Sequence, residues 1–321
     1  MTGSPAVEYR LLDPSDGQAV AAWLVLVAEG AGDSPDDPPP CPKDVAGSLR
    51  YPPPGIELAD WLAYRGGALV GTLRLAFDTG ATGARVDRLL VHPSHRRRGV
   101  GRGLLALART ECRDRVDLTA LVPDPGTAFA AAAGATRLDG AYLRMRLDLA
   151  HDLPAAPPPA PGYRLDAWEN HAPDHHVLAA AWLERTLGDD AVAPQDEPVD
   201  TSYLRALERM RTGRGRHAYH IGAVHEATGT LVGYTNITTI EGNPDHLYQG
   251  MTVVHHAHRG HGLGRTLKLT NTTNARRDHP AARYMDTTNS ATNHPMKALN
   301  ESMGYVVRDQ LVPWHLPTAT T

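Results

Sequence analysis

The chain writes one stretch twice. Residues Val91 to Arg102 read Val-His-Pro-Ser-His-Arg-Arg-Arg-Gly-Val-Gly-Arg, and Val254 to Arg265 read Val-His-His-Ala-His-Arg-Gly-His-Gly-Leu-Gly-Arg. The matched pairs are Val91/Val254, His92/His255, His95/His258, Arg96/Arg259, Gly99/Gly262, Gly101/Gly264 and Arg102/Arg265, at a constant offset of about half the 321 residues. Such a repeat predicts two domains of one architecture in tandem.

Each copy follows a short apolar run and opens into an amphipathic stretch, Leu104 to Cys112 or Leu267 to Ala275, so the order is strand, glycine loop, helix. That order builds an anion site. Glycines let the backbone turn with positive φ, and the first helical turn leaves N–H donors unpaired at the positive end of the helix dipole. A pyrophosphate fits there. The spacing Arg-x-x-Gly-x-Gly matches neither the Walker pattern nor the three-glycine dinucleotide fingerprint, which excludes nucleoside triphosphate and NAD readings.

With their flanks, Leu89-Leu90-Val91-His92-Pro93 and Thr252-Val253-Val254, the two loops resemble the acyl-CoA-binding motif of the GNAT superfamily of N-acetyltransferases. The resemblance implies an α/β fold of two tandem GNAT domains, each a mixed, mostly antiparallel, splayed sheet flanked by helices. It implies acetyl-CoA, or another acyl-CoA, as co-substrate. The residues it assigns to CoA are Leu89, Val91, Arg96, Arg97, Arg98, Gly99, Gly101, Arg102 and Gly103 in the first copy. In the second they are Thr252, Val254, Arg259, Gly260, Gly262, Gly264 and Arg265, with Asn289 and Asn293.

Composition bounds the remaining readings. A chain of 321 residues with 41% hydrophobic content can bury two ordinary cores. The net charge of −4 argues against nucleic acid as a partner. No basic segment runs into an apolar one at the start, and no run of eighteen apolar residues occurs, so neither export nor a membrane partner is expected. The two cysteines, Cys41 and Cys112, form no C-x-x-C pair and fit a reducing cytoplasm. The assembly is expected to be a monomer or homodimer.

Read in order, residues 1–150 give the first domain: a strand at Glu8 to Leu12, a helix from about Ser15 to Glu29, an exposed loop over 31–55, and a hairpin of Asp60 to Arg65 with Ala68 to Phe77. After the strand ending at Val91 come the loop and its helix, a strand at Val116 to Val122, a short helix at Thr127 to Ala133 and strand material over Arg137 to Leu149. Residues 151–162, with five prolines in Pro154 to Gly162, read as a linker. Residues 163–321 repeat the order: a strand at Tyr163, helices at about Asp174 to Leu187 and Thr201 to Arg211, strands at His217 to His225, Leu231 to Ile240 and Leu247 to Val254, then loop, helix, strand, the helix Pro295 to Met303 and the strand Tyr305 to Leu316.

The copies differ where chemistry is expected. Asn293 precedes Gly304-Tyr305 by the spacing of the resembled family, whereas the first half has Pro123 at the place of Asn293 and Ala130 at that of Asn300. The second domain is therefore the expected site of transfer, the first a structural acyl-CoA site that retains its ligand. Transfer to an amine needs an oxyanion donor, a proton for the thiolate and a base. Backbone N–H groups near Thr252 to Val254 serve the first. Where the family often carries a Tyr stands Asn300, so Tyr305, Tyr284 or water would substitute; Glu241 is the first candidate base, with Asp286 and His220 behind it. The evenly spaced His255, His258 and His261 match no zinc pattern, and no metal is expected.

The function expected is acyl transfer from CoA to an amine of a small molecule, resembling tandem GNAT proteins such as mycothiol synthases and acyltransferases of antibiotic pathways, one of the clavulanic acid kind. The alternative is a CoA-binding structural or regulatory protein without turnover.

Overall fold

The structure is a computed structural model that describes residues 6–31, 37–186 and 200–318. Contacts divide the chain into two units: residues 1–143 with 290–292 and 309–321, and residues 144–289 with 293–308. This division departs from consecutive halves split at a proline linker. The last thirteen residues belong to the first unit, and residues 151–162 lie within the second.

In the first unit the elements are β1 (Val7–Leu11), α1 (Gly17–Gly30), α2 (Pro42–Arg50), β2 (Ile56–Arg65), β3 (Ala68–Asp78), β4 (Gly83–Val91), α3 (Val100–Glu111), β5 (Asp117–Pro123), α4 (Asp124–Ala132) and β6 (Thr136–Arg137). The sheet runs β1-β2-β3-β4-β5, antiparallel except for β4 with β5. Its far edge is closed by chain from the C-terminus, where Leu311 to His315 pair antiparallel with Pro123 to Thr119. Val312 and Trp314 bury against Ala130 there. The main core, with Leu73, Leu75, Leu104 and Leu118 all fully buried, lies between the sheet and α3.

Local chemistry explains these elements. Asp16 caps α1, its carboxylate accepting from the N–H groups of Gln18 and Ala19 at 3.0 Å each. Trp23 of α1 is fully buried and donates its indole N–H to Thr72 Oγ1 at 3.2 Å. The hairpin turns at Gly66 (φ 57°) and Gly67 (φ 83°), the two positive φ values that a two-residue turn between twisted strands demands. The loop expected over 31–55 contains α2. Pro42 opens it at a position that needs no N–H, Asp44 lies in its first turn and Arg50 in its last.

The second unit contains residues 144–148 of β7 (Tyr142–Asp148), then β8 (Tyr163–Glu169), α5 (Asp174–Arg185), α6 (Ser202–Gly213), β9 (Arg216–His225), β10 (Thr230–Ile240), β11 (Asn243–Val254), α7 (Leu263–Asp278), β12 (Tyr284–Ser290), α8 (His294–Ser302) and the start of β13 (Val306–His315). Its sheet order is β8-β9-β10-β11-β12-β7, with β11 and β12 parallel. One face packs Tyr234 and Val253 against α5, and the other packs Ala223 and Val232 against Leu263 and Leu267 of α7. The expected end of α5 at Leu187 lies outside the described residues. Each unit is thus a mixed, mostly antiparallel sheet flanked by helices. No helix among the described residues is long and apolar enough to cross a membrane.

Candidate functional site

The two glycine loops adopt one backbone conformation. His92 has φ −49°, ψ 133° and His255 φ −50°, ψ 133°, and each leads into a short 3-10 turn. Arg96 (φ −66°, ψ 162°) and Arg259 (φ −71°, ψ 163°) follow. The next residue is left-handed in both copies, Arg97 with φ 60° and Gly260 with φ 85°, and so are Gly99 (85°) and Gly262 (72°).

The first helical bonds behind the loops are Gly103 N–H to Gly99 O at 3.0 Å and Thr266 N–H to Gly262 O at 3.1 Å. The helix ladder therefore takes no amide from residues 99–102 or 262–265. A Cβ at Gly99, Gly260 or Gly262 would meet nothing within 4 Å, so these loops present an open face. Free amides at a helix N-terminus on an open face suit a diphosphate.

The arginines divide by role. Arg96 Nε donates to Val91 O at 3.0 Å, and Arg259 Nε donates to Val254 O at 3.2 Å. Both side chains brace the loop onto the strand before it. Arg65 clamps the first loop further, donating to Arg98 O at 2.9 Å, and Arg265 donates to Ser302 Oγ at 2.7 Å. Arg102 sits on the first turn of α3 beside Gly101. Gly103 offers no amide, because the helix consumes its N–H; it is small because a Cβ there would overlap the Tyr9 hydroxyl.

Below each loop the sheet opens. In the first unit β4 and β5 pair only from Gly83↔Asp117 to Val86↔Ala120, after which β4 runs on to Val91 paired with β3 but not with β5. In the second, β11 and β12 pair from His246↔Tyr284 to Tyr248↔Asp286, and β11 continues to Val254. Each leading strand carries a bulge at the same repeat position. Arg74↔Arg88 is followed by Leu75↔Val86, leaving Asp87 extra, while Thr235↔Thr252 is followed by Ile237↔Gln249, leaving an extra residue at Gly250-Met251. A bulge turns main-chain groups out of the ladder. Here it falls where β4 parts from β5 and β11 from β12, a feature that the sequence reading missed. Gly250 permits it, since a Cβ there would press on Asn236 Oδ1 at 2.5 Å.

The side chains expected to hold CoA are placed as follows. Leu89 and Val91 pack against the first core, so toward the slot they can offer only main-chain groups. In the second unit, Thr252 Oγ1 lies 2.8 Å from Thr235 Oγ1, and Thr287 Oγ1 donates to Gln249 O at 3.1 Å across the diverging strands. Asn289 Nδ2 donates to Asn293 O at 3.4 Å. Asn293 caps α8, its Oδ1 accepting from Met296 N–H at 3.1 Å, which leaves its Nδ2 to face outward. At the first loop Phe129 of α4 stands where Leu299 stands at the second: a Cβ on Gly101 would lie 3.4 Å from the Phe129 ring and one on Gly264 3.8 Å from Leu299 Cδ2.

The expected catalytic residues are not gathered in the slot. Glu241 stands at the β10–β11 turn, and β11 is 12 residues long, so it lies at the opposite end of the strand from the loop, beyond the paired segment 246–248. Asn300 is fully buried, with Nδ2 3.8 Å from Met145 Sδ and Oδ1 without a partner. Tyr305 is 2% exposed, its hydroxyl has no partner, and burial pushes its ionisation well up. Neither can meet a ligand in the slot as placed. Asp286 is held by Arg146 through bonds of 2.6 and 2.7 Å, and Tyr284 lies under the same guanidinium at 4.7 Å. His220 stacks on Trp168 at 5.1 Å, and burial, with Arg211 nearby, pushes it down to about 3, so it stays neutral. Among the described residues one group, Asp166, His175 and His176, brings its ligand atoms within 4.8 Å of one another; Asp166 there already pairs with Arg164.

The model of the acetyltransferase (GNAT) family matches residues 31–131 and 179–305. A solved tandem GNAT protein from the clavulanic acid biosynthesis pathway, without acetyl-CoA, is 44% identical, covers 98% of this chain and 100% of its own, and has a TM-score of 0.90. A GCN5-related N-acetyltransferase from Sphaerobacter thermophilus, 16% identical over 98% of this chain and 96% of its own with a TM-score of 0.71, shares the fold. Among curated relatives, a probable N-acetyltransferase 14 of Homo sapiens is 55% identical over 69 residues, 21% of this chain and 32% of that protein. A mycothiol acetyltransferase of Cellulomonas flavigena is 32% identical over 152 residues, 40% of this chain and 43% of that protein. The chain thus spans between about a third and under half of the curated relatives it matches.

Proposed function

The chain belongs to the GNAT acetyltransferase family, and we propose that it transfers an acyl group, in the simplest case acetyl, from CoA to an amine of a small molecule. The observation that carries this reading is the duplicated cradle: two loops of one conformation, each with open amides at a helix N-terminus and a splayed strand pair below.

When bound, the thioester of acetyl-CoA supplies the activated acyl group. The chain's residues do the rest. Amides 262–265 hold the diphosphate, the outward Nδ2 of Asn293 orients the arm, and the main-chain N–H groups at the bulge near Met251 and Thr252 face the developing oxyanion. Glu241 stands at the far turn, and Asn300, Tyr305 and His220 are buried, so we assign to water the passage of the proton that the attacking amine gives up to the departing thiolate. We assign transfer to the second unit and a retained acyl-CoA to the first, because Pro123 and Phe129 stand at α4 where Asn293 and Leu299 stand at α8. The kinship with the clavulanic acid pathway protein makes secondary metabolism the proposed setting.

A second reading, a CoA-binding regulatory protein, draws on the burial of both Asn300 and Tyr305. Turnover separates the two. Free-thiol release from acetyl-CoA over a panel of primary amines should be detectable with the wild type and fall by at least about 100-fold in Gly264→Glu, which sets a carboxylate against the diphosphate; Gly101→Glu should retain turnover. Absence of thiol release with every amine, while acetyl-CoA still raises the melting temperature, would favour the regulatory reading.

A further inference from the structure

A cavity of about 430 Å³ opens on the second unit beside the glycine cradle, and no residue of 259–265 lines it. Its polar wall is made by Thr228, Thr230, His225, His255 and His258, and Trp182 of α5 closes it. The Nδ1 atom of each histidine is already engaged. His225 meets Thr228 Oγ1 at 3.1 Å, His258 meets the Tyr163 hydroxyl at 2.9 Å, and His255 accepts from Ala257 N–H at 3.1 Å.

The last bond fixes a tautomer. A neutral imidazole that accepts at Nδ1 carries its proton at Nε2 and donates there. No described residue bonds His255 Nε2, and the same proton leaves no lone pair for a metal. The other copy of the repeat shows what this position takes. His92, the equivalent of His255, also accepts at Nδ1, from Ser94 N–H at 3.2 Å, and its Nε2 meets Glu29 Oε2 of α1 at 3.1 Å. In the second unit the Trp182 ring stacks on His255 at 4.7 Å instead, and no carboxylate lines the cavity. Burial and the neighbouring imidazoles hold both His255 and His258 below the usual range. Among the described residues the lining holds neither a helix N-terminus nor a Lys or Arg, so its few neutral N–H and O–H donors match the single charge and two oxygens of a carboxylate better than a phosphate dianion.

We propose that this cavity binds a small organic carboxylate, one oxygen of which takes the place at His255 that Glu29 takes at His92. The hydroxyls of Thr228 and Thr230 add donors, and Trp182 gives the organic group a flat apolar wall. The site does not depend on acyl transfer.

Histidine side-chain 1H–15N NMR of the full chain, titrated with phenylacetate at constant ionic strength, reads the site directly. We expect saturable shifts of the His255 and His258 resonances, no such shifts with phenylacetamide, and the same dissociation constant with CoA at saturation. Trp182→Glu should supply the carboxylate internally, as Glu29 does, and abolish the titration. His258→Gln, a milder change, should weaken binding at least about 3-fold while the fold is kept. Equal response to phenylacetamide, tighter binding of inorganic phosphate, displacement by CoA, or a titration untouched by both variants would overturn the proposal.

Discussion

Lys268 of α7 is 1% exposed, and its ammonium stands 5.4 Å from the centre of the Tyr305 ring. Burial lowers it to about 7, against an unfolded value of about 10.4. The unfolded chain therefore binds more protons between those values, and stability rises with pH across that window, by up to roughly 5 kcal/mol; below about 7 the penalty is constant. Urea unfolding of wild type and Lys268→Met at pH 7 and pH 9 checks this: the substitution should raise stability at pH 7 and remove most of the gain toward pH 9. Equal pH slopes in the two proteins would refute it. The loops carry a smaller residue-scale asymmetry. Arg97 occupies with φ 60° the position that Gly260 takes with φ 85°, and a side chain there is tolerated only because the loop around it is fixed by Arg96 and Arg65.

At the scale of elements, α2 shows what sequence reading misses. Residues 31–55 are rich in Pro and Gly, and nothing in their periodicity announces a helix. Its anchor lies elsewhere in the chain: Arg74 of β3, buried in the sheet, donates to Ser48 Oγ of α2 at 2.8 Å and to Asp60 of β2 at 2.8 to 3.0 Å. Asp60→Ala would leave this guanidinium buried and unpaired beside Arg88, which burial and Arg74 already hold at about 10. A loss of about 3–5 kcal/mol in chemical denaturation is expected, whereas Asp60→Leu with Arg74→Met should lose far less. The glycine loops, by contrast, were legible because their conformation is set within a dozen residues. The bulges at Asp87 and Gly250 were not, since a bulge is a relation between two strands. Burial of Asn300 and Tyr305, and the distance of Glu241 from the loop, likewise follow from packing and register that spacing does not encode.

Across the molecule, the tandem repeat fixed two sheets but not their membership. Tyr305 to Leu316 read as the closing strand of the second half, yet Leu311 to His315 complete the first sheet beside β5, with Leu316 in its core. Removal of residues 309–321 should therefore expose β5 of the first unit: hydrogen exchange of Leu118 to Val122 should rise at least about 100-fold, while β9 and β10 of the second unit keep their protection. Equal loosening of both sheets would contradict that assignment.

On the proposed function, each glycine loop grips one coenzyme A through main-chain amides. Native mass spectrometry of the gently purified chain with excess CoA tests it most directly. Two CoA per wild-type chain are expected, one in Gly101→Glu, one in Gly264→Glu and none in the double variant. CoA bound in unchanged number to the double variant would contradict it.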